Sequence, residues 1–507
     1  MGEARDSSGG GRKLSFDLAP PRASSLVESL RAFGYELPSA IADLIDNSIS
    51  AMAKNVWVDF HWSGELSTIA VTDDGEGMDE AILVAAMRPG SQSPLDKRSP
   101  QDLGRFGLGL KTASFSQCRR VTVRSRRRRG RYATRGWDLD HVSRVDEWQL
   151  LREADDAAEH HFERLSCLSS GTTVVWQKLD RVAADFATDS DSDHQSFLRH
   201  AVEVESYLGM VFHRFLSRSK QVRIHLNAQI VQPWDPFLEG HDATQTLSLT
   251  KLRTKAGTIE IRPFILPHHS KLSPTEFAAA AGARGWNAHQ GFYVYRNRRL
   301  LVPGDWLGLG WAKEEHYKLA RIRIDIPNSM DLTWEIDVTK SRARPPVRLR
   351  RELKRIGERA RADAKRVYSF RGARLTPKAE TERVLLWLPI AKHNKMFYKL
   401  NPDHPLLRQA VASTADPGPL RALLRLIEET VPVPQITIAN SEAPQALPEP
   451  FERAKDSEIS KVMEQTFQSL LSAGYGREEA LRRLQLVFPF DLYPALLESF
   501  RESHVDA

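Results

Sequence analysis

Cysteine is almost missing from this chain: Cys118 and Cys167 are the only two in 507 residues. Two thiols cannot build the disulfide framework of a small secreted scaffold or a cysteine-rich metal cluster, and a reducing, cytoplasmic setting is the expectation. No apolar run approaches the roughly 20 residues that a membrane-spanning helix needs, so no membrane partner is expected. Met1 to Lys13 is rich in Gly and Ser and has no apolar segment, so it reads as a flexible start and not a signal peptide. Internal repeats, zinc-ligand spacing, a nuclease-like carboxylate cluster and a nucleophile elbow are also missing. The spacing Gly-x-x-x-x-Gly-Lys-Ser/Thr is absent too, which excludes a Walker A loop. What remains is a composition normal for a globular protein, 41% hydrophobic and 27% charged, in a chain long enough for two to four domains. The net charge of +7 fits a polyanionic partner, and where the charge sits matters more than its sum.

Three signatures stand in order between residues 42 and 113. Ser24 to Ala53 is helical in pattern, with breaks expected at Gly34 and Pro38. In its second half Asp43 and Asn47 are four apart and share one helical face, while Leu44, Ile45 and Ile49 form the buried side. A carboxylate and an amide oxygen on one face can divide labour. Asn47 can ligate Mg²⁺, a hard ion, and Asp43 can orient or deprotonate an attacking water. Alone, the same pattern is an ordinary polar helix face. A strand pair follows at Asn55 to Trp62 and Ser67 to Thr72, turned by Ser63-Gly64-Glu65. It ends in Asp73-Asp74-Gly75-Glu76-Gly77-Met78, where two glycines let the backbone pass beneath a flat ligand and a strand-end carboxylate can accept an exocyclic amine. Arg88 to Leu103 loses periodicity and reads as a lid. Gly104-Arg105-Phe106-Gly107-Leu108-Gly109-Leu110-Lys111 then opens a helix, exposing N–H groups that suit phosphate oxygens. Gly171-Thr172 opens a further strand. Between these, Arg119 to Arg135 is strongly basic, either a solvated hairpin tip or a nucleic-acid contact.

Together, these elements resemble the nucleotide site of the GHKL ATPase superfamily, shared by DNA gyrase B, the heat-shock chaperones of the ninety-kilodalton class, sensor histidine kinases and MutL. The resemblance implies an α/β (α+β) chain with a Bergerat-type ATP-binding sandwich, a transducer-like α/β domain after it and a mostly helical C-terminal region. It implies ATP and Mg²⁺ as cofactors, with Asn47 as the metal ligand. It makes Asp73 the adenine aspartate, helped by Thr172, with Gly75, Gly77 and Met78 lining the base. Gly104, Arg105, Phe106, Gly107, Leu108, Gly109, Leu110 and Lys111 then hold the phosphates. Asp43 takes the catalytic position. There the hydrolytic members usually carry glutamate, so aspartate, one methylene shorter, bears on the hydrolysis rate.

Downstream, Asp180 to Gln195 is an acidic, Ser-rich junction. Strand patterns recur at Val222 to Leu226, Thr258 to Ile265, Gly291 to Arg296 and Leu319 to Ile326. The stretch Tyr293-Val294-Tyr295-Arg296-Asn297-Arg298-Arg299-Leu300 closely resembles the Tyr-x-Tyr-Arg-Asn-x-Arg-Leu stretch of the MORC branch. Trp334 to Ser341 reads as a strand ending in a basic loop. The resemblance implies a lysine there that reaches the γ-phosphate, with Lys340 the candidate and Arg342 second. Arg344 to Arg374 is a basic helix, Val431 to Pro450 is Pro-rich, and Ser457 to Phe500 is helical with breaks at Pro489 and Pro494. The expected division is a flexible 1–23, an ATP-binding domain 24–185, a transducer-like domain 196–343, a basic helical region 344–430, a linker 431–452 and a helical domain 453–507.

The expected function is a Mg-ATP-hydrolysing, MORC-like clamp. It dimerises with ATP and closes on double-stranded DNA without reading sequence, in settings such as restriction or phage defence. The alternatives are a chaperone-like ATPase whose C-terminal helices meet a protein partner, and an ATP-sensing scaffold that hydrolyses little. A histidine kinase is disfavoured, because the ATP domain begins near residue 24 and leaves no room upstream for a phosphoacceptor helix pair.

Overall fold

The computed structural model describes residues 17, 21–32, 34–90, 109–217, 222–331, 333–336, 343–369, 384–392, 395–436, 448 and 450–505. Gly104 to Leu108, Lys340, Arg342 and most of the expected lid lie outside them. The chain divides into two units, Met1–Ser369 and Phe370–Ala507.

The first unit opens with helices α1 (Ala23–Arg31) and α2 (Leu37–Ser50). Gly34, at φ +71°, turns the chain between them. Pro38 sits in the first turn of α2, where its missing N–H costs nothing, so it starts the helix and does not break it. Strands β1 (Asn55–His61), β2 (Thr68–Asp73), β3 (Arg120–Arg126), β4 (Ala133–Asp138), β5 (Gly171–Gln177), β6 (Arg223–Leu226) and β7 (Gln229–Ile230) form one sheet in the order β4-β3-β5-β2-β1-β6-β7. Every pairing is antiparallel except β1 with β6. Alternate residues Val56, Val58, Ile69, Val71, Val121, Val123, Val174 and Trp176 share a core with Leu30 of α1, Ile41 and Ile45 of α2 and Phe115 of α4 (Gly109–Gln117). A short helix, α3 (Glu80–Met87), lies between β2 and α4, with Asp79 capping it through the Ile82 N–H.

The acidic stretch does not end this layer. Ser190 caps a helix, Asp191–Val211, whose Phe197, Ala201, Val204 and Leu208 enter the same core, and β6 and β7 extend the same sheet. The first layer therefore runs past 185 to about Ile230. The sequence pattern hid this because β6 is short and pairs with β1, far upstream.

A second sheet contains β8 (Gln245–Thr246), β9 (Thr250–Thr254), β10 (Gly257–Ile265), β11 (Gly291–Arg296), β12 (Arg299–Asp305) and β13 (Ala320–Ile326). Its order is β12-β11-β13-β10-β8, with β9 also paired to β10. β11 is buried along its whole length. Tyr293 and Tyr295 belong to the first layer's core, while Phe292 and Val294 belong to the second sheet's own. The basic helix, Val347–Ser369, covers β10 and β13 with Leu353, Ile356, Ala360 and Ala364. At Gly357 an added Cβ would fall 2.6 Å from the Trp311 ring, so glycine lets this helix lie close. The helix thus belongs to the first unit, which ends at 369 and not at 343. Trp334 to Ile336 is not a strand. Trp334 is fully buried, its N–H donates to the Met330 carbonyl at 2.9 Å, and Glu335 takes a positive φ of 44°.

The second unit holds a hairpin, β14 (Trp387–Lys392) with β15 (Lys395–Leu400), and helices over Pro405–Ser413, Pro417–Glu429, Asp456–Ser472, Arg477–Leu484 and Pro494–Val505. Met463, Phe467, Leu470, Leu484 and Phe500 form its core. Helix Pro405–Ser413 packs on Asp456–Ser472, so 453–507 is not a separate body. Pro494 starts the last helix and does not break one.

Within the first unit, one contact fixes the second sheet to α2. Arg299, at the start of β12, is 2% exposed and places Nε 3.3 Å from Oδ1 of Asp46, which is fully buried. Its guanidinium also lies 5.1 Å from the Phe212 ring centre. Beside it, His213 and the Tyr295 hydroxyl are 2.8 Å apart. Taking away one member of a buried ion pair costs about 3–5 kcal/mol, whereas replacing both with apolar residues is often neutral. Arg299→Ala should therefore lower the urea unfolding midpoint sharply, and Arg299→Met combined with Asp46→Leu should recover it. Equal losses in the single and double variants would mean that the pair carries no such cost.

Candidate nucleotide site

The site is built at the end of the first sheet where its inward positions stop being apolar. Along β2 the inward series is Ile69, Val71, Asp73; along β5 it is Trp176, Val174, Thr172; along β3 it is Val121, Val123, Ser125. Pairing sets Asp73 opposite Thr172 and Thr172 opposite Ser125, so the three polar residues form one cross-strand row. The Asp73 carboxylate accepts the Gly75 N–H at 2.9 Å and the Ser48 hydroxyl at 2.9 Å. Ser125 Oγ lies 2.8 Å from Thr172 Oγ1 and accepts the Met78 N–H at 2.7 Å. Met78 itself is half-buried against the core. The row therefore presents a carboxylate and two hydroxyls beside an apolar thioether, a set that suits the polar edge and flat face of a purine.

Two glycines hold the floor. Gly77 has φ +68°, and a Cβ there would fall 2.0 Å from the Arg126 carbonyl oxygen. At Gly171 a Cβ would meet the Asp73 carbonyl oxygen at 2.0 Å. Any side chain at either position would push β3 or β2 away from the site.

α2 supplies the second wall. Asn47 is exposed, and Asp43, one turn earlier, is 2% exposed. Tyr35 donates its hydroxyl to Asp43 Oδ2 at 2.9 Å. Gly109, the first residue of α4, stands so near that a Cβ on it would lie 3.4 Å from the same oxygen. The N-terminus of α4 thus stands beside the α2 carboxylate. A hard metal ion that takes few protein ligands fits this arrangement: Asn47 offers one accessible amide oxygen, and phosphate and water complete such a shell.

Lys111 occupies a different place from the phosphate role expected of it. It is 3% exposed, and its ammonium donates to the Ala86 carbonyl at 2.9 Å, near the end of α3. Burial lowers its pKa to about 8. A cation bound to a helix's last carbonyls braces α4 against α3. Sequence reasoning missed Tyr35, Ser48, Ser125 and the pair Asp46 and Arg299. Ser125 was findable, as a small polar residue in an apolar series; Tyr35 carries no such mark, and Arg299 stood in the MORC-like stretch without its pairing to Asp46 being visible.

Two expectations follow. Asn47→Ala should abolish Mg-ATP binding, while Asp43→Ala should keep binding and stop turnover; equilibrium binding and phosphate release read them separately. The Asp73 carboxyl is pushed up to about 6 by burial, against the hydrogen bonds from Gly75 and Ser48. Its ordinary value is 3.8, so the folded domain favours the protonated acid, and the ionised carboxylate prevails only above about pH 6. Adenine-nucleotide affinity should weaken as pH falls through that value, and Asp73→Asn should flatten the profile; an unchanged profile would remove Asp73 from base recognition.

Comparison with known proteins agrees with this geometry. The family described as histidine kinase-, DNA gyrase B-, and HSP90-like ATPase matches residues 35–172. Two forms of the sensor histidine kinase RegB of Cereibacter sphaeroides are each 32% identical over 75 residues, 15% of this chain. The match spans only 16% of each relative's own length. The likeness to these relatives is therefore confined to a short stretch of each chain. No helix among the described residues is long and apolar enough to cross a membrane. Residues 35–172 form a GHKL-type ATPase domain, the nucleotide-binding module of the histidine kinase, DNA gyrase B and HSP90 family.

Proposed function

We propose that this chain is an ATP hydrolase of the MORC-like branch that closes as a homodimeric clamp on double-stranded DNA. The observation that carries the reading is the buried Arg299–Asp46 pair, which joins the nucleotide helix directly to the second sheet, on which the basic helix packs. ATP binding orders the lid and brings two copies together; hydrolysis releases them. Asp43 orients the attacking water, with Tyr35 fixing its carboxylate, and Asn47 holds the metal. A bound Mg²⁺ supplies neutralisation of phosphate charge. Lys340 reaches the γ-phosphate, with Arg342 the alternative.

The DNA part of the reading rests on charge placement. Arg348, Arg350, Arg351, Lys354, Arg355, Arg359, Lys365 and Arg366 are exposed on helix Val347–Ser369. Of these, Arg355 pairs with Glu352 and Arg366 with Asp363 along the helix, and Arg361 stacks 3.7 Å from the centre of Tyr317 and pairs with Glu314. Near the start of this helix, Arg284, Lys313, Arg344 and Arg350 line a cavity of about 400 Å³ together with one carboxylate, Asp305. Such a surface suits a phosphate backbone and reads no sequence.

A second reading, an ATPase acting on a protein partner, is favoured by the second unit. Leu423, Leu426 and Ile427 share one exposed helix face there, and Ile390, Phe397 and Tyr398 are exposed on the hairpin.

The test is ATP turnover with and without duplex DNA at two salt concentrations, with oligomeric state followed in parallel. DNA-stimulated turnover that fades with salt, together with ATP-dependent dimerisation, is the expected result. Arg350→Glu, Arg351→Glu and Lys354→Glu together should weaken DNA binding and flatten its salt dependence by roughly 0.9 in log–log slope for each phosphate no longer neutralised. Turnover indifferent to DNA would select the protein partner, and binding without turnover would select a nucleotide-sensing scaffold.

A further inference from the structure

On the outer face of the first sheet, away from the core that backs the nucleotide site, three histidines converge. His61 ends β1; His160 and His161 belong to the short helical segment 156–166 folded over that face. The segment is held there by Ala158 and Phe162 packing on Ala70 and Val175. Arg164 adds to this, pairing with Asp59 at 3.4 Å and lying 5.1 Å from the Trp57 ring centre. One ring nitrogen from each histidine lies within 4.8 Å of the others. The His61 and His161 ring centres are 4.4 Å apart, and those of His160 and His161 are 3.7 Å apart.

The second observation is an unmet polar atom. His161 is 5% exposed; its Nε2 lies 2.8 Å from Thr68 Oγ1, and its Nδ1 is buried without a hydrogen-bond partner. A buried unsatisfied nitrogen costs about 1–3 kcal/mol. If Nε2–H donates to Thr68, Nδ1 keeps a bare lone pair with no protein donor to fill it. That is the arrangement of a metal-ligating imidazole, one nitrogen on the ion and the other anchored by a neighbouring oxygen.

We propose that His61, His160 and His161 form a binding site for a divalent transition ion of borderline softness, zinc first, which fastens segment 156–166 to the edge of β1 and β2. Imidazole is the common nitrogen ligand for such ions. Metal–nitrogen bonds of about 2.0–2.1 Å require the three nitrogens to draw closer than they stand, and His61 and His160, both exposed, have the rotamer freedom to do so. Three protein ligands leave a fourth position for water. Asp59 faces His61 and Asp155 faces His161; each is also paired with an arginine, Asp59 with Arg164 at 3.4 Å and Asp155 with Arg120 at 3.3 Å. Sequence spacing could not show the site, because His61 and His160 are brought together only by the sheet and the strap across it.

The full chain, without an affinity tag, is stripped with chelator and titrated with Zn²⁺ by calorimetry and with Co²⁺ by visible absorption. One equivalent should bind, with tetrahedral Co²⁺ bands and a higher melting temperature. His61→Ala and His160→Ala, both at exposed positions, should each weaken binding by at least the roughly 10–100-fold that even an outer partner is worth, and Thr68→Val should fall in that range. ATP turnover serves as the folding control and should be unchanged in the His61 and His160 variants. No stoichiometric binding, or equal affinity in the double variant His61→Ala with His160→Ala, overturns the proposal whatever the nucleotide site does.

Discussion

A carboxylate taken out of water must be answered by another group, and α2 buries two. Asp43 is 2% exposed and Asp46 is fully buried, both on the helix that also carries Asn47. Desolvating such a charge costs several kcal/mol unless hydrogen bonds or an opposite charge replace the lost water. Asp43 is answered locally, by Tyr35 eight residues earlier. Asp46 is answered by Arg299, 253 residues away in the second sheet. Arg299 itself is fully enclosed; burial disfavours its charge, but Asp46, Tyr207 and Asp43 more than offset this and hold its pKa above the ordinary value. Separating the second sheet from α2 would break this buried ion pair. A shift in α2 must therefore be followed by β12.

This constraint explains why the first unit is continuous. The tyrosines of β11 enter the first layer's core while the alternate residues of the same strand serve the second. A strand buried on both faces transmits displacement, because close-packed interiors have no slack to absorb it. The nucleotide helix, the second sheet and the basic helix on that sheet thus form one mechanical series, each link a dry contact between named side chains.

Much of this could be read from the chain. The strand-end Asp73 with its two glycines, the Asp43 and Asn47 pair, and the Gly-Thr opening of β5 were legible because each is local and chemically specific. The second sheet's main strands were legible from alternation. What escaped were relations between distant residues. The first layer takes in β6 through a parallel pairing to β1, and no local pattern announces that. The basic helix reads as the start of a new region because its charge dominates its composition, whereas Leu353, Ile356, Ala360 and Ala364 bind it to the second sheet. Lys111 looked like a phosphate ligand because it follows the glycines, yet its hydrocarbon stem is buried and its ammonium meets a helix end. The row Asp73, Thr172 and Ser125 lies between these cases. Each strand shows an apolar series broken by one polar residue, but only the register reveals that the three breaks line up.

The row and the helix place different demands on the same end of the sheet. Base recognition needs rigid, satisfied groups, and Asp73 and Thr172 are pinned by Ser48, Gly75 and Ser125. In the role proposed for Asp43, a carboxylate one methylene shorter than glutamate depends for its reach on the backbone around it. Gly109 brings the start of α4 near its Oδ2, where an added Cβ would stand 3.4 Å away, in ordinary contact. Since α2 also answers to Arg299, the position of Asp43 depends on the second sheet as well as on the first. The Asp43 helix is thereby tied to the second sheet through Arg299, and through Ser48 the same helix also reaches the Asp73 row of the first sheet.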